Sequence, residues 1–379
     1  MLRLARLKHN LLDKYKKKMK RAIRAVIYSA FLTTISVVAF FILPAKVQYH
    51  VTEKYAFSAN QMGKKIKLAV MLPKDNAYQA IDNLEIRWGG DISGADYEEV
   101  KVIKLSGHSD HGEAILDYDV NLFQGRIDWE GNATLQDIHP QKGIESNESV
   151  LIKKARELTA GHLDDAAQES YKFTAAYLSW PKGTRIGEEP SALIAYENRI
   201  GVCGDFANLM TALNRSINSP ARSISGLSMP TYLPPKMTIE RIWMHPGGAH
   251  AWVEVYDQGH WTIADPSWAS RMPFDGIWFG RSMGQYLSYG ETGAHEQIYE
   301  EMLQWGEESG ELIGAMSAPL KFVSSSEDNN HVVITPVVRV KKGRDARWVF
   351  AVSSFLVILA ASAFTEYHIV NRGKSKDAE

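Results

Sequence analysis

The sequence predicts an α+β protein: a β-rich, sandwich-like domain, then helices feeding a β-hairpin, the whole flanked by two transmembrane helices. Three observations predict it. Short alternating apolar runs separated by Gly, Asp and Asn turns fill residues 46–145. Near Ser149 the apolar period changes to that of a helix, and at Ala249 it returns to that of a strand. Uncharged apolar runs stand close to both ends of the chain.

The chain has 379 residues, more than one small domain needs, and a formal net charge of −1 that is unevenly placed. Residues 1–24 are crowded with Lys and Arg around one acid, Asp13, and Leu4, Leu7, Leu11, Tyr15 and Met19 trace a stripe through them. This predicts a basic cytoplasmic amphipathic segment lying on an anionic leaflet. Nucleic-acid binding is the competing use of such a segment. It is disfavoured, because an apolar run follows at once and the rest of the chain is not basic. Residues 25–44 are expected to form a transmembrane helix, since Ala25 to Leu43 is uncharged and long enough to span. The sequence around Pro44 and Ala45 is a poor signal-peptidase site. A second span is expected over 348–370, with Trp348 and Tyr367 placed as interfacial aromatics, followed by a cytoplasmic tail at 371–379. Two spans and a basic N-terminus predict a two-pass protein of the inner (cytoplasmic) membrane, with the region between them on the periplasmic or extracellular side.

The β-rich stretch is built from alternating sets. Tyr49, Val51, Tyr55 and Phe57 form the first, Ile66, Leu68 and Val70 the second, and Leu84, Ile86 and Trp88 the third. Val100 and Val102 follow, then Ala114 to Tyr118. The acidic and histidine-bearing run from His108 to Glu113 reads as a polar hairpin loop rather than a metal site, because no further ligand cluster completes a shell.

Residues 146–340 are expected to form the catalytic domain. Leu151, Ile152, Ala155 and Leu158 define one helix face, Asp164 to Leu178 a second helix, and Ser191 to Arg199 a third. The third leads into Gly201-Val202-Cys203-Gly204-Asp205, which holds the single cysteine of the chain. Phe206, Leu209, Met210, Leu213 and Ile217 follow at helical spacing, so Cys203 falls in the first turn of a buried helix. Unpaired N–H groups and the dipole at a helix start favour an anion, and the thiolate is the nucleophilic form of cysteine.

A base and an orienting group stand downstream. Ala249 to Tyr256 alternates as a strand with His250, Trp252, Glu254 and Tyr256 on one face. Asp257-Gln258-Gly259 reads as a turn, and His260 to Asp265 as the return strand, closed by Pro266. A loop centred between Asp257 and Gln258 sets His250 directly opposite Asp265, with Cβ atoms about 5 Å apart. A three-residue loop would break this match. Carboxylate, imidazole and thiol together make the constellation in which the carboxylate holds the ring and the ring activates the thiol. His245 precedes the strand and His260 takes the opposite face, so His250 is the preferred base. The connection from Gly226 to Gly248, rich in Pro and carrying Trp243 and His245, reads as a structureless loop that covers or lines the substrate cleft. Trp268, Trp278, Phe279 and Tyr286 are assigned to packing, and His331 to Val340 to a last strand, with Pro336 arguing for an edge.

Four blocks then carry a resemblance. Gly201 to Ala207, Ser219 to Gly226, His250 to Tyr256 and Trp261 to Pro266 stand in the order found in the transglutaminase-like superfamily. One departure, Asn218-Ser219-Pro220, touches none of the three site positions. The resemblance covers about residues 150–270 and implies a papain/transglutaminase-like catalytic domain. It implies Cys203 as nucleophile, His250 as base and Asp265 as orienting carboxylate, with no cofactor and no metal. The function it implies is a cysteine protease or amidase working through a thiol acyl-enzyme; with the two expected spans, this becomes a membrane-anchored enzyme acting on a protein or peptide of the envelope or exterior. Transfer of the acyl group to an amine, as in a transglutaminase, is the first alternative. A non-catalytic scaffold with envelope protein partners is the second.

Overall fold

The computed structural model describes residues 45–59, 65–89, 91–96, 101–108, 111–160, 165–181, 190–229, 236–242, 249–271, 279–292, 312–317, 321–325 and 332–345. Residues 19, 20, 23, 24, 27, 28, 30, 31, 34, 353 and 356 are described beside them. The chain divides into two units, one made of Met1–Leu43 with Asp345–Glu379 and the other of Pro44–Arg344.

In the first unit the described positions other than Asp345 are helical. Met19, Ile23, Ile27 and Phe31, spaced one turn apart, are 50%, 50%, 59% and 62% exposed, so an apolar stripe faces outward. Among the described residues no helix is long and apolar enough to cross a membrane. Most of the expected spans at 25–44 and 348–370, the basic segment before Met19 and the tail 371–379 lie outside the described residues.

The second unit is mixed α/β. Its strands are β1 (Ala45–Ala59), β2 (Lys65–Leu72), β3 (Gln79–Arg87), β4 (Asp91–Asp96), β5 (Lys101–His108), β6 (His111–Arg126), β7 (Asp128–Glu130), β8 (Ala221–Ser228), β9 (Thr238–Ile242), β10 (Ala249–Asp257), β11 (His260–Ala264), β12 (Arg281–Met283), β13 (Tyr286–Glu291), β14 (Leu312–Ser317), β15 (Lys321–Ser325) and β16 (Val332–Asp345). Its helices are α1 (Ser149–Leu158), α2 (Ala166–Tyr177), α3 (Ala192–Asn198), α4 (Cys203–Arg215) and α5 (Pro266–Ala269).

The strands form three sheets. One runs β12-β6-β1-β16-β9 with β3 also on β6, a second β15-β14-β2-β5-β4, and a third β13-β8-β10-β11-β7. The stretch 46–145 is β-rich, but it does not close a sandwich on its own. Its strands are shared among all three sheets, where β8–β16 complete them. Alternation cannot reveal this, because it marks which face of a strand is buried and not which strand lies beside it. Two later expectations also change. The connection after Gly226 is not structureless, since it contains β9, which pairs with Val337–Lys341 of β16. That pairing makes β16 an interior strand, with Pro336 just outside the paired segment. The parts of that connection holding Trp243 and His245 lie outside the described residues.

The third sheet is covered on both faces. On one, Ala251, Val253, Val255 and Ala264 pack on Ala207 and Met210 of α4 and on Tyr171 of α2. On the other, Ile224, Trp252, Ile263 and Tyr286 pack with Tyr78 and Ile127. Helix α4 is buried almost throughout, its Phe206, Leu209 and Leu213 meeting α1 and α3. The first sheet lays Val47, Tyr49 and Val51 of β1 against Leu227, Leu287 and Tyr289 at the β8–β13 edge. In that inward row, position 53 is a fully buried carboxyl. Tyr118 and Tyr289 each donate to Glu53 Oε1 at 2.5 Å, and Tyr55 donates to Oε2. Burial pushes this carboxyl above its usual range, and the three phenols oppose that shift.

The β10–β11 turn is made by Gln258 and Gly259, both at positive φ (48° and 91°), as a two-residue hairpin of the primed type requires. It is centred one position later than the expected loop. Val253 therefore pairs with Ala264, and Asp265 emerges level with Trp252 instead of His250. The register shifts by two residues, so the face is kept.

Gly226 shows how tightly this region is packed. It stands opposite His250 in the β8–β10 pairing. A Cβ there would lie 2.1 Å from the Leu287 carbonyl oxygen and 2.6 Å from the Trp252 ring. Gly226→Ala should therefore cost about 3 kcal/mol, the upper end of overpacking. Urea denaturation measures it, and a loss below about 1 kcal/mol would show that the strands part without strain.

Candidate active site

Cys203 is the first residue of α4, and its N–H is one of those a helix start leaves without an intrahelical partner. The loop before it is fixed by Asp205. Its Oδ2 accepts the Val202 N–H at 2.8 Å, and its Oδ1 accepts the Ser191 N–H at 3.3 Å from the start of α3. Gly201 permits the close approach, since a Cβ there would fall 2.5 Å from that of Asp205. Gly201 also donates its N–H to the Ser179 carbonyl at 3.0 Å, tying the loop to the chain leaving α2. The thiol is partly exposed.

His250 comes from β10 and is 6% exposed. Its Nε2 lies 2.7 Å from Asp265 Oδ2. Cys203 is close enough to the imidazole to act on its charge, and Nδ1 is the nitrogen that Asp265 leaves. The structure thus brings the three sequence-predicted residues Cys203, His250 and Asp265 together. His260 is exposed, 3.6 Å from Asp128 and away from this group.

Asp265 is fully buried just beyond β11, where it caps α5. Its Oδ1 accepts the Ser267 N–H (3.1 Å), the Ser267 hydroxyl (2.7 Å) and the Trp268 N–H (3.2 Å). Its Oδ2 accepts the Tyr286 hydroxyl at 2.8 Å as well as His250. The short cap thus fixes the carboxylate before the imidazole meets it.

The electrostatics follow from this packing. Burial alone lowers the His250 pKa. The Asp265 charge, the hydrogen bond to Asp265 and the contact with Cys203 outweigh it and raise the value from 6.5 to about 10. The imidazole is therefore held as a cation at neutral pH. Tyr286 is pushed well above the ordinary phenol value by burial and by Asp265, so it stays a donor.

Tyr286 is the residue that sequence reasoning missed. Assigned to packing, it lies with its ring nearly parallel to His250 (6.0 Å, 10°) while its hydroxyl holds Asp265. Trp252 at 6.0 Å and Trp268 at 5.8 Å complete an aromatic surround of the imidazole. No spacing marks Tyr286, because β13 reaches the site from the far side of β8. Asp205 was legible in principle, as an acid three residues past the N-cap Val202. Among the described residues no group of three or more His, Cys, Asp and Glu is placed to hold a metal. Asp110, in the run from His108 to Glu113, lies outside the described residues.

Residues 152–266 match the family model of the transglutaminase-like superfamily. Among solved structures, a candidate cysteine protease from Cytophaga hutchinsonii matches with a TM-score of 0.50 and 15% identity, over 79% of this chain and 100% of that one. A candidate protease from Parabacteroides distasonis matches with a TM-score of 0.27 and 10% identity, over 83% and 74% of the two chains. Red sea bream transglutaminase matches with a TM-score of 0.23 and 11% identity, over 77% and 58%. No curated protein matches.

Two outcomes follow from the geometry. A histidine raised above its ordinary value contributes stability that is complete below about pH 6.5 and is lost as pH climbs through about 10. The stability gap between the parent and Asp265→Asn, on the order of a few kcal/mol at pH 6, should therefore narrow as pH rises towards 10.5. A gap independent of pH over that window would contradict the raised imidazole. Tyr286→Phe removes one donor to a buried carboxylate and should cost about 1.5–3 kcal/mol. Thermal unfolding checks this, and an unchanged Tm would show that the bond adds nothing.

Proposed function

We propose that this chain, whose residues 152–266 form a transglutaminase-like core, is a membrane-tethered cysteine enzyme. It cleaves amide bonds in a peptide or protein outside the cytoplasmic membrane, through a thiol acyl-enzyme. The observation that carries the reading is a buried imidazole held at 2.7 Å by a saturated carboxylate and close enough to interact with the one cysteine, which opens a buried helix.

Each residue has one task. Cys203 Sγ, as thiolate, attacks the carbonyl carbon of the scissile amide, and the electron pair of the carbonyl moves to its oxygen. The helix-start N–H of Cys203 donates to that oxyanion. The His250 imidazolium gives its proton to the leaving amine as the C–N bond breaks. Water then attacks the thioester, His250 takes its proton, and release of the acid restores the thiolate–imidazolium pair. Asp265 and Tyr286 hold the ring in place throughout. Hydrolysis is preferred over transfer to an amine, in keeping with the protease description of the Cytophaga structure. The outward apolar stripe of Met19, Ile23, Ile27 and Phe31, beside a basic N-terminal segment, supports the tether. The tether consists of two spans at 25–44 and 348–370, with both chain ends in the cytoplasm.

In the full chain in detergent, iodoacetamide should alkylate Cys203 faster than it alkylates free cysteine at pH 6.5. His250→Ala should slow that reaction by about 10-fold or more at the same pH. An identical pH profile in parent and variant would mean that no thiolate–imidazolium pair forms, and the enzyme reading would fall.

A further inference from the structure

Beyond the three residues of the proposed mechanism, one exposed cation has an unusual seat. Arg271 lies on the turn that ends α5, its N–H donating to the Trp268 carbonyl at 3.0 Å. Its guanidinium carbon is 3.3 Å from the centroid of the Trp180 ring. Two other arginines have carboxylate partners, Arg215 with Glu291 at 2.9 Å and Arg222 with Asp137 at 2.5 Å. Among the described residues, Arg271 has a ring instead.

The seat is rigid. Trp180 stacks on Phe206, one turn into the helix that Cys203 opens (5.5 Å, 26°). Its Nε1–H donates to Ser270 Oγ at 2.9 Å. The residue before it, Ser179, is bound on both sides to the cysteine loop, its N–H donating to Arg199 O and its carbonyl accepting from Gly201. At the other end of the same short segment, Asp265 holds His250. Seven residues, 265 to 271, thus carry the orienting carboxylate at one end and the arginine at the other. The arginine rests on a tryptophan anchored to the nucleophile's own helix and loop.

A guanidinium lying on an indole face keeps its N–H edge free and pre-oriented, the form that grips a carboxylate through two parallel hydrogen bonds. We propose that Arg271 on Trp180 is a carboxylate-recognition subsite beside Cys203. The preferred acyl donor is then a peptide bearing a carboxylate next to the scissile amide. This rests on Cys203 being the nucleophile.

The test uses the full chain in detergent and needs no natural substrate. Alkylation of Cys203 by iodoacetate and by iodoacetamide is timed, and the ratio of the two rates is taken, so that any change in the thiol common to both reagents cancels. The parent ratio should exceed that of free cysteine. Arg271→Met should lower it by about five-fold, the effect of one nearby charge in a half-solvated cleft. Arg271→Lys, which keeps the charge and loses the fork, should fall between. A parent thiol reactive towards iodoacetamide, with an equal ratio in parent and Arg271→Met, would overturn the subsite alone. A thiol no more reactive than free cysteine towards iodoacetamide would overturn the nucleophile reading and the subsite with it. Two further probe pairs locate the carboxylate. A preference for N-iodoacetylglycine over its amide, lost in Arg271→Met, assigns a terminal carboxylate. The same preference for N-iodoacetylglutamate amide over the glutamine analogue assigns a side chain.

Discussion

Placing the His250 imidazolium and the Asp265 carboxylate in the interior removes two charges from water. That costs several kcal/mol per ion before any attraction is counted. Their attraction at 2.7 Å offsets the cost only if every remaining lone pair is also satisfied. The surroundings meet that condition. Asp265 accepts four hydrogen bonds besides that of His250, from the Ser267 N–H and hydroxyl, the Trp268 N–H and the Tyr286 hydroxyl. The flat faces around the imidazole are supplied by Trp252, Trp268 and Tyr286, which exclude water without competing for its protons. Removing one partner would leave a buried charge uncompensated, so the pair constrains the fold as much as the fold positions the pair.

That dependence explains the interleaved sheets. His250 lies on the central strand of a five-stranded sheet, and the groups that enclose it arrive from both sides. Tyr286 comes from β13 at one edge, and Asp265 emerges from β11 on the other side of β10. The edge beyond β11 is closed by β7, a strand from the N-terminal stretch, where Trp129 pairs with Trp261. The β8–β13 edge is covered by β1 and β6 through Tyr49, Val51 and Tyr118. A site that must stay dry on the sheet side therefore draws strands from before and after the core. The resulting body is a single unit from Pro44 to Arg344.

Much of the site was legible in the sequence because it depends on local order. The helical spacing after Cys203 and the alternation around His250 are properties of contiguous residues, and a strand face survives a register error of two. That is why His250 and Asp265 were placed on one face although the turn was centred one residue too early. What was not legible depends on neighbours far along the chain. Nothing in the β-rich run shows that β14 pairs with β2 or that β16 lies between β1 and β9. Glu53 breaks the apolar row of β1, and of the three phenols that explain it two, Tyr118 and Tyr289, come from other strands. Tyr286 reads as a packing residue until the hydroxyl and the ring are seen to serve two partners at once.

Charge shows the same limit at the scale of the whole chain. A formal net charge of −1 predicts no attraction for anions. Placement decides otherwise. The carboxylates nearest the thiol are turned inward and occupied, Asp265 by its donors and Asp205 by the Val202 and Ser191 N–H groups. Among the positive groups, the start of α4 carries the thiol, the His250 imidazolium is bound to Asp265, and Arg271 sits exposed on its indole. Acids bound to backbone N–H groups contribute little field at a distance, whereas an exposed cation acts on whatever approaches. Under the proposed mechanism a nucleophile that works as an anion is stabilised by that asymmetry, and the proposed subsite uses it to select an acyl donor of the opposite sign.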